Sequence, residues 1–271
     1  MKSPSLSFVS TGFLIVFTTL FGCDGNISYR VKTKNVHVDS LEQIELLHHY
    51  LVKPILYKNI RGLEELPLHE AKEKFISAIL PAILVAKHKL SSTRNKLTRL
   101  REKENWNGAD SSFYMETKNI YQGKNLDDLN AKLLTLPNSI VLAQAAVETG
   151  WGESRFFIQA SNLFGIWSFD ETESRIAAGK NRNNKTIFLR SYDDMSTSIT
   201  DYFEVLARVG AYKSLRKARL QTSDPFLLIP HLKNYSERRN WYTRQLKKVI
   251  RQNNLTRYDA YRLDPEYLVR E

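Results

Sequence analysis

The residue best placed for chemistry in this sequence is Glu148. It follows residues 140–147, which are apolar or small apart from Gln144. A helix of this composition is apolar on nearly every side, so we expect it to be buried at the centre of the fold. Burial and the negative end of the helix both disfavour a charged carboxylate and raise its pKa. A carboxyl group that stays protonated near neutral pH can act as a general acid. The alternative is a salt bridge to an arginine such as Arg155.

Aromatic residues crowd the stretch that follows Glu148. They are Trp151, Phe156, Phe157, Phe164, Trp167 and Phe169. Flat apolar faces beside polar groups can hold sugar rings, and Trp151 and Trp167 are the best candidates, whereas most of the others should belong to the core. Ser161 and Asn162 lie between these aromatic residues, where they could bond an N-acetyl group or cap a turn, and the cap is the more frequent role.

Local signals predict the elements that position these residues. Pro137 suits the first turn of the helix that ends at Glu148, and Gly150 suits a left-handed turn after it. Two short apolar runs, 164–169 and 186–191, flank a polar stretch that contains Gly179. Such a pair of runs predicts a β-hairpin with a long loop.

The rest of the chain is predicted to be helical. Asp39-Ser40 suits the start of a helix through Leu51, and apolar spacing predicts a long amphipathic helix from about Pro67 to Leu100. Further helices are predicted over 112–121 and 126–134, after Asp193-Asp194, after Asp224-Pro225, and along the apolar face of Tyr242, Leu246, Val249 and Ile250. The tail 254–271 shows no clear pattern.

The N-terminus predicts export. Residues 1–22 have a basic start and no charge between Leu6 and Phe21, which is typical of a signal peptide. The sequence Leu20-Phe21-Gly22-Cys23 resembles the lipobox of bacterial lipoproteins, so Cys23 is a candidate for lipidation and a membrane anchor. The alternative is an ordinary signal peptide followed by an incidental thiol. Residues 23–38 are predicted to form a polar tether.

Charge and composition limit the partners. The chain has 40 Lys and Arg against 29 Asp and Glu, a net charge of +11. Such a surface attracts nucleic acid, anionic lipid or an anionic cell wall. No nucleic-acid motif accompanies the charge, so we predict no nucleic-acid partner. The six histidines show no metal-ligand spacing and there is no nucleotide-binding glycine loop, so neither metal nor cofactor is predicted. The single cysteine excludes a disulfide within the chain.

Two motifs together resemble a known family. AQAAVETGWG at 143–152 and SNLFGIW at 161–167 are similar to the signature of the bacterial glucosaminidase family, which includes wall autolysins, flagellar peptidoglycan hydrolases and Bax proteins. The likeness is greatest to Bax proteins, continues at 211–216, 235–238 and 241–242, and covers about 68–253.

The resemblance implies a fold and a setting. The fold is mainly α (α+β), a lysozyme-like helical lobe with a small β-hairpin lobe, preceded by extra N-terminal helices. The glucosaminidase domain would span 136–253, after an N-terminal helical segment at 39–135. The substrate would be the glycan strands of peptidoglycan. Together with the N-terminal signal and the lipobox at Cys23, this predicts an exported monomer in the cell envelope or periplasm, anchored to the membrane through Cys23.

The resemblance also implies residue roles. Glu148 matches the general acid. The second catalytic group matches either a β-lobe carboxylate, with Glu173 preferred to Glu171, or Tyr235 across the groove. Each glutamate could instead be a solvated loop residue, and Tyr235 a buried tyrosine bonded to backbone. From the residues themselves, the candidates for substrate binding are Trp151, Ser161, Asn162, Phe164 and Trp167. If no β-lobe carboxylate lies near, the N-acetyl group of the substrate would act as the nucleophile and configuration would be retained.

Three functions remain open from the sequence. The first is a glycosidase, by default an endo-β-N-acetylglucosaminidase, although a muramidase or lytic transglycosylase would use the same glutamate. The amidase label given to some family members is disfavoured, because amide hydrolysis in the wall usually needs a metal or a nucleophile. The second is a non-catalytic wall-binding protein, and the third is an envelope scaffold that acts through the basic helical segment before residue 136.

Overall fold

The computed structural model describes residues 28–182 and 185–270, so the predicted signal peptide and Cys23 lie outside the described residues. The helices are α1 (Leu68–Glu102), α2 (Gly108–Tyr121), α3 (Leu126–Lys132), α4 (Asn138–Thr149), α5 (Arg155–Ala160), α6 (Met195–Arg208), α7 (Lys213–Arg219), α8 (Pro225–Leu228) and α9 (Asn240–Gln252). The strands are β1 (Tyr29–Val31), β2 (Lys34–His37), β3 (Leu51–Val52), β4 (Ile55–Lys58), β5 (Trp167–Ser168), β6 (Arg175–Arg182), β7 (Lys185–Arg190), β8 (Arg262–Leu263) and β9 (Leu268–Arg270). The predicted class, mainly α with a small β-lobe, is confirmed.

The long helix α1 is the central support of the fold. Its predicted apolar face is buried, including Phe75, Ile79, Ile83 and Leu90. The helix is long and apolar enough to cross a membrane by length and composition, but 67% of its most apolar window is buried inside the protein. It contacts α3, α4 and α6, so it supports the helix that carries Glu148.

Helix α4 begins and ends where the sequence predicts. Pro137 precedes its first turn, and Gly150 ends it in the left-handed region with φ 62°. All residues from Ile140 to Ala146 are buried. Helices α1 and α9 and a 3-10 turn at 255–260 pack around it, and Glu148 lies at its less buried C-terminal end.

The β-lobe is a three-stranded antiparallel sheet in the order β5-β7-β6. The two predicted runs do pair, with Trp167 opposite Leu189. The polar stretch between them, predicted as a loop, forms strand β6 instead. Its register shifts between Ala177 and Asn181, where Gly179 takes φ 73°. A glycine at a β-bulge lets a polar strand bend and still pair, which the hydrophobic pattern does not reveal.

The predicted helix from Ser40 to Leu51 is wrong. Ser40 does cap a helical turn, but that turn is a single 3-10 turn at Leu41–Gln43. Residues 51–52 instead form strand β3, which pairs in parallel with β8 near the C-terminus. A capping signal marks where a helix can begin, and it does not specify how far the helix continues.

The ends of the described chain are paired with each other. Strand β1 pairs with β9, and β2 pairs with β4. Residues 29–31 and 34–37, predicted as part of a tether, are therefore docked on the fold. The tail after residue 254 is ordered by the same contacts, because β8 and β9 use the N-terminal strands as partners.

The later helices follow the prediction. Asp194 caps α6 by accepting hydrogen bonds from the backbone N–H groups of Ser196 and Thr197. The apolar face of α9 is buried through Tyr242, Leu246 and Ile250. Helices α6 and α9 thus flank α4 and bring polar side chains close to Glu148.

Candidate active site

A cleft of about 550 Å³ opens between the β-lobe and the helices at the end of α4. Its lining comes from α4, from the loop before β5, from the end of α6 and from the segment before α9. The lining residues are Glu148, Phe164, Gly165, Ile166, Trp167, Phe169, Arg190, Val205, Arg208, Val209, Tyr212 and Tyr235. Within the described chain, Glu148 is the only carboxylate in this lining.

Glu148 is half-buried at the end of α4. Burial raises the pKa of its carboxyl group, while a hydrogen bond with Tyr242 and the positive charge of Arg238 act in the opposite direction. Arg155, the predicted alternative partner, instead donates to the backbone oxygen of Ala177 at 2.7 Å. The carboxyl therefore lies in a partly buried site without an ion pair to any cation of the described residues, which favours its protonated form.

A polar chain behind Glu148 fixes its orientation. Tyr202 donates to Gln144 Oε1 at 2.5 Å, and Gln144 Nε2 donates to the hydroxyl of Tyr242 at 3.0 Å. Because that hydroxyl accepts from Gln144, its own proton is directed to Glu148, with which Tyr242 is hydrogen-bonded. Gln144 is fully buried. From the sequence, Gln144 and Tyr242 are predicted only as members of buried helix faces, although one amide in an otherwise apolar helix is a signal of such a chain.

Tyr235 lines the cleft, but its hydroxyl already has a backbone partner. It donates to the carbonyl oxygen of Phe164 at 3.1 Å. Its ring stacks on Tyr242 with 5.7 Å between centroids. Burial raises the pKa of Tyr235 well above its usual value, so the phenol stays neutral. Tyr235 thus joins the segment before α9 to the loop that carries Phe164.

The two predicted β-lobe glutamates do not line the cleft with Glu148. The Glu173 carboxylate lies 2.9 Å from Nε of Arg190, in a separate polar pocket that also contains Asp201. The Glu171 carboxylate lies 3.4 Å from the Arg175 guanidinium, and the Glu171 side chain is 89% exposed. The structure therefore brings neither of them to the end of α4.

The two candidate tryptophans have different surroundings. Trp167 lines the cleft and is 40% exposed, with Phe169 6.2 Å away as a second exposed ring. Trp151 is absent from the described cleft lining and packs edge-on against Phe75 of α1 at 5.6 Å. Trp167 and Phe169 therefore offer the flat apolar surface, and Trp151 belongs to the packing of α1 against α4.

The side-chain amide of Asn162 is hydrogen-bonded to backbone groups. Its Nδ2 donates to the carbonyl oxygens of Ile166 and Arg190, and its Oδ1 accepts from the N–H groups of Phe164 and Ile166. These four bonds use the ordinary capacity of the amide, so none is left for an N-acetyl group. Ser161 is the left-handed cap of α5, with φ 49°. Both residues shape the loop that carries Phe164, whose ring is buried but reaches the cleft.

The described residues contain no group of three or more side chains arranged to hold a metal ion. The cations of the cleft wall have acidic partners. Arg190 pairs with Asp201 at 2.7 Å, and Arg208 pairs with Glu204 at 3.7 Å. The cleft can thus supply one proton from Glu148 and an aromatic face, with its arginines held in place by carboxylates behind them.

Comparison with known proteins identifies the region that builds this cleft. Residues 123–255 match the family model described as mannosyl-glycoprotein endo-beta-N-acetylglucosaminidase. They form a glucosaminidase-family domain. The glucosaminidase domain contains every residue of the cleft lining, from Glu148 to Tyr235. The docked strands β1–β4 and β8–β9 lie outside the matched range.

Several known proteins are similar to this chain. Protein bax of Escherichia coli (strain K12) is 24% identical over 198 residues, which are 67% of this chain and 69% of that protein. A peptidoglycan hydrolase structure from Sphingomonas sp. A1 is 23% identical with a TM-score of 0.38, and covers 52% of this chain and 92% of its own. The catalytic domain of the autolysin Auto from Listeria monocytogenes is 20% identical with a TM-score of 0.39, and covers 61% of this chain and 96% of its own.

Proposed function

We propose that this protein cleaves the glycan backbone of bacterial peptidoglycan as an endo-β-N-acetylglucosaminidase, with Glu148 as the general acid. The observation that carries the proposal is the position of Glu148 in the cleft together with the raised pKa of its carboxyl group. It is the lone carboxylate among the described residues of the cleft lining, and burial raises its pKa. Membership of the glucosaminidase family supports the type of bond, and the net charge of +11 suits an anionic wall.

In the first step, the Glu148 carboxyl group transfers its proton to the glycosidic oxygen. The bond from that oxygen to the anomeric carbon then breaks, and the leaving sugar departs as an alcohol. The hydrogen bond with Tyr242 orients the carboxyl group and stabilises the carboxylate that forms. The positive charge of Arg238 acts in the same direction.

For the second group we propose the N-acetyl group of the substrate, because the described cleft contains no second carboxylate. Its carbonyl oxygen attacks the anomeric carbon as the glycosidic bond breaks, which gives a cyclic oxazolinium ion. The Glu148 carboxylate then takes a proton from water, and the water oxygen attacks the anomeric carbon and reopens the ring. Glu148 is protonated again, one water molecule is consumed, and the anomeric configuration is retained.

This function requires export, so we also propose that residues 1–22 direct secretion and that Cys23 carries a lipid anchor. The motif at Leu20–Cys23 supports the anchor. Radiolabelled palmitate should enter the wild-type chain and be absent from Cys23→Ser. Label that is equal in both chains would exclude Cys23 as the anchor.

The test of function is a digest of purified peptidoglycan with the full chain and with Glu148→Gln. Products are reduced with borohydride and identified by mass spectrometry. We expect reduced N-acetylglucosamine ends from the wild type and none from the variant. Reduced N-acetylmuramic acid or 1,6-anhydro ends would assign the muramidase or lytic transglycosylase bond. No products from either chain, on walls that a known hydrolase digests, would support a binding or scaffold role.

A further inference from the structure

The exposed side of α9 carries a stripe of cations that starts next to the cleft. The stripe consists of Arg238, Trp241, Arg244, Lys248 and Arg251, all exposed. Arg238 lies just before α9, and the spacing of three, four and three residues from Trp241 to Arg251 places the other four along one face of the helix. Helix α9 has 13 residues, so this basic stripe is about 20 Å long.

The charge of the basic stripe is not balanced locally. Helix α9 has the sequence NWYTRQLKKVIRQ, which contains four cations and no acidic residue. The ion pairs among the described residues involve none of the stripe residues, although Arg251 stacks over the Phe226 ring at 4.9 Å and the charge of Arg238 acts on Glu148. The cations of the cleft wall differ, because Arg190 and Arg208 are paired with acids. An arginine that pairs with a carboxylate stabilises the cleft wall. A row of exposed cations without carboxylate partners instead attracts anions.

The basic stripe is continuous with the cleft. Tyr235 lines the cleft three residues before Arg238, and the Arg238 guanidinium stacks over the Trp241 ring at 4.9 Å. Trp241 is 47% exposed, and its neighbour Tyr242 points inward to Glu148. The basic stripe therefore begins at the rim of the cleft and leads away from it along α9.

We propose that the basic stripe binds the carboxylates of the stem peptides on a peptidoglycan strand whose glycan lies in the Glu148 cleft. This rests on the proposed function and adds a recognition surface to it. Stem peptides project from the glycan at regular intervals and carry carboxylates, so a linear row of cations beside the cleft matches their arrangement. An anionic membrane fits less well, since interfacial helices insert several apolar side chains and the basic stripe exposes only Trp241.

Binding tests this proposal without turnover. The full chain with Glu148→Gln is titrated with soluble peptidoglycan strands by calorimetry, using strands with stem peptides intact or removed by an amidase. Adding Arg244→Gln and Lys248→Gln should weaken binding to intact strands roughly 3- to 30-fold at low salt, the range for two exposed charge pairs. The difference should shrink at high salt and vanish on strands without peptides.

The matched control is Lys32→Gln with Lys34→Gln, which removes the same charge from exposed positions near β2. It should change binding by less than about 2-fold. An equal loss of affinity in both double variants would show that only net charge matters and would overturn the proposal. An equal loss of affinity on strands with and without stem peptides would also overturn it. A loss confined to vesicles of phosphatidylglycerol and phosphatidylcholine would assign the basic stripe to membrane instead. Because the binding measurement requires no cleavage, it tests this proposal even if the peptidoglycan digest gives no products.

Discussion

The helical wall of the cleft and the β-lobe hold glutamates in opposite surroundings. Glu148 is half-buried at the end of α4, and its bonding partner is the neutral hydroxyl of Tyr242. Glu173 lies 2.9 Å from the Arg190 guanidinium, in a polar pocket shared with Asp201. The same side chain is therefore pushed toward its neutral form in one place and paired with a cation in the other. The surroundings suit Glu148 to proton transfer and Glu173 to holding Arg190.

The largest effect should come from replacing each of these two glutamates by glutamine, one at a time. Glu148→Gln keeps the shape of the side chain but removes the proton, so peptidoglycan cleavage should fall about 10²- to 10⁴-fold. Glu173→Gln should keep activity within about 3-fold and lower the melting temperature, because it weakens a partly buried ion pair. Initial rates on reduced peptidoglycan and thermal unfolding measure both. An activity loss in Glu173→Gln as large as in Glu148→Gln would restore Glu173 as the second catalytic group.

The next effect separates the two tryptophans. Trp167→Ala should raise KM roughly 10- to 100-fold with little change in stability, because a half-exposed ring of the cleft contributes mainly to substrate binding. Trp151→Ala should instead destabilise the fold by about 3 kcal/mol, because this ring packs on Phe75. Steady-state kinetics and denaturant unfolding of both variants measure KM and the free energy of unfolding. A raised KM with unchanged stability in Trp151→Ala would instead indicate that Trp151 binds substrate.

A smaller effect should appear in the pH profile of Tyr242→Phe. The Tyr242 hydrogen bond lowers the pKa of Glu148, so its removal should raise that pKa and shift the alkaline limb of kcat/KM to higher pH. The rate should fall by about 10-fold through loss of orientation and of a bond to a charged acceptor. Tyr192→Phe is the matched control, because it deletes a 2.7 Å hydrogen bond to Asp201 outside the cleft. An equal shift in both variants would mean that the polar chain through Gln144 does not set the pKa of Glu148.

The smallest predicted effect is on stability. Burial raises the pKa of Glu148 in the folded protein above its ordinary value of 4.5, so ionisation of this group costs stability as pH rises above that value. Glu148→Gln should therefore unfold at a higher temperature than the wild type at pH 7. The gain should disappear as pH falls below 4.5, where the carboxyl is protonated in both folded and unfolded chains. A gain that persists at low pH would point to packing rather than ionisation.

Much of the helical wall could be predicted because its signals are local. The apolar run before Glu148, Pro137 at its start and Gly150 at its end lie within a few turns of one another, and each acts through its own backbone geometry. The same holds for the Asp194 cap of α6. These signals placed Glu148 at the C-terminal end of a buried helix.

The β-lobe and the chain ends could not be predicted in the same way. Strand β6 is polar and needs Gly179 to pair with β7, and β3 pairs with β8 more than 200 residues away. Whether Glu173 enters the cleft depends on Arg190, which belongs to another strand. For Asn162 the predicted turn cap is what the local bonds to Phe164 and Ile166 show, and only its bond to the carbonyl oxygen of Arg190 depends on a distant strand. Such contacts are set by tertiary packing and leave no local pattern.

In the proposed mechanism, the protein supplies one carboxylate to the reaction and the substrate supplies the nucleophile. The most direct test is an NMR time course of the newly formed reducing end during cleavage of a soluble peptidoglycan strand by the full chain. We expect the β-anomer to appear first and then to mutarotate, because the N-acetyl group has acted from within the substrate. First appearance of the α-anomer would contradict it, since inversion requires a second protein group to activate water.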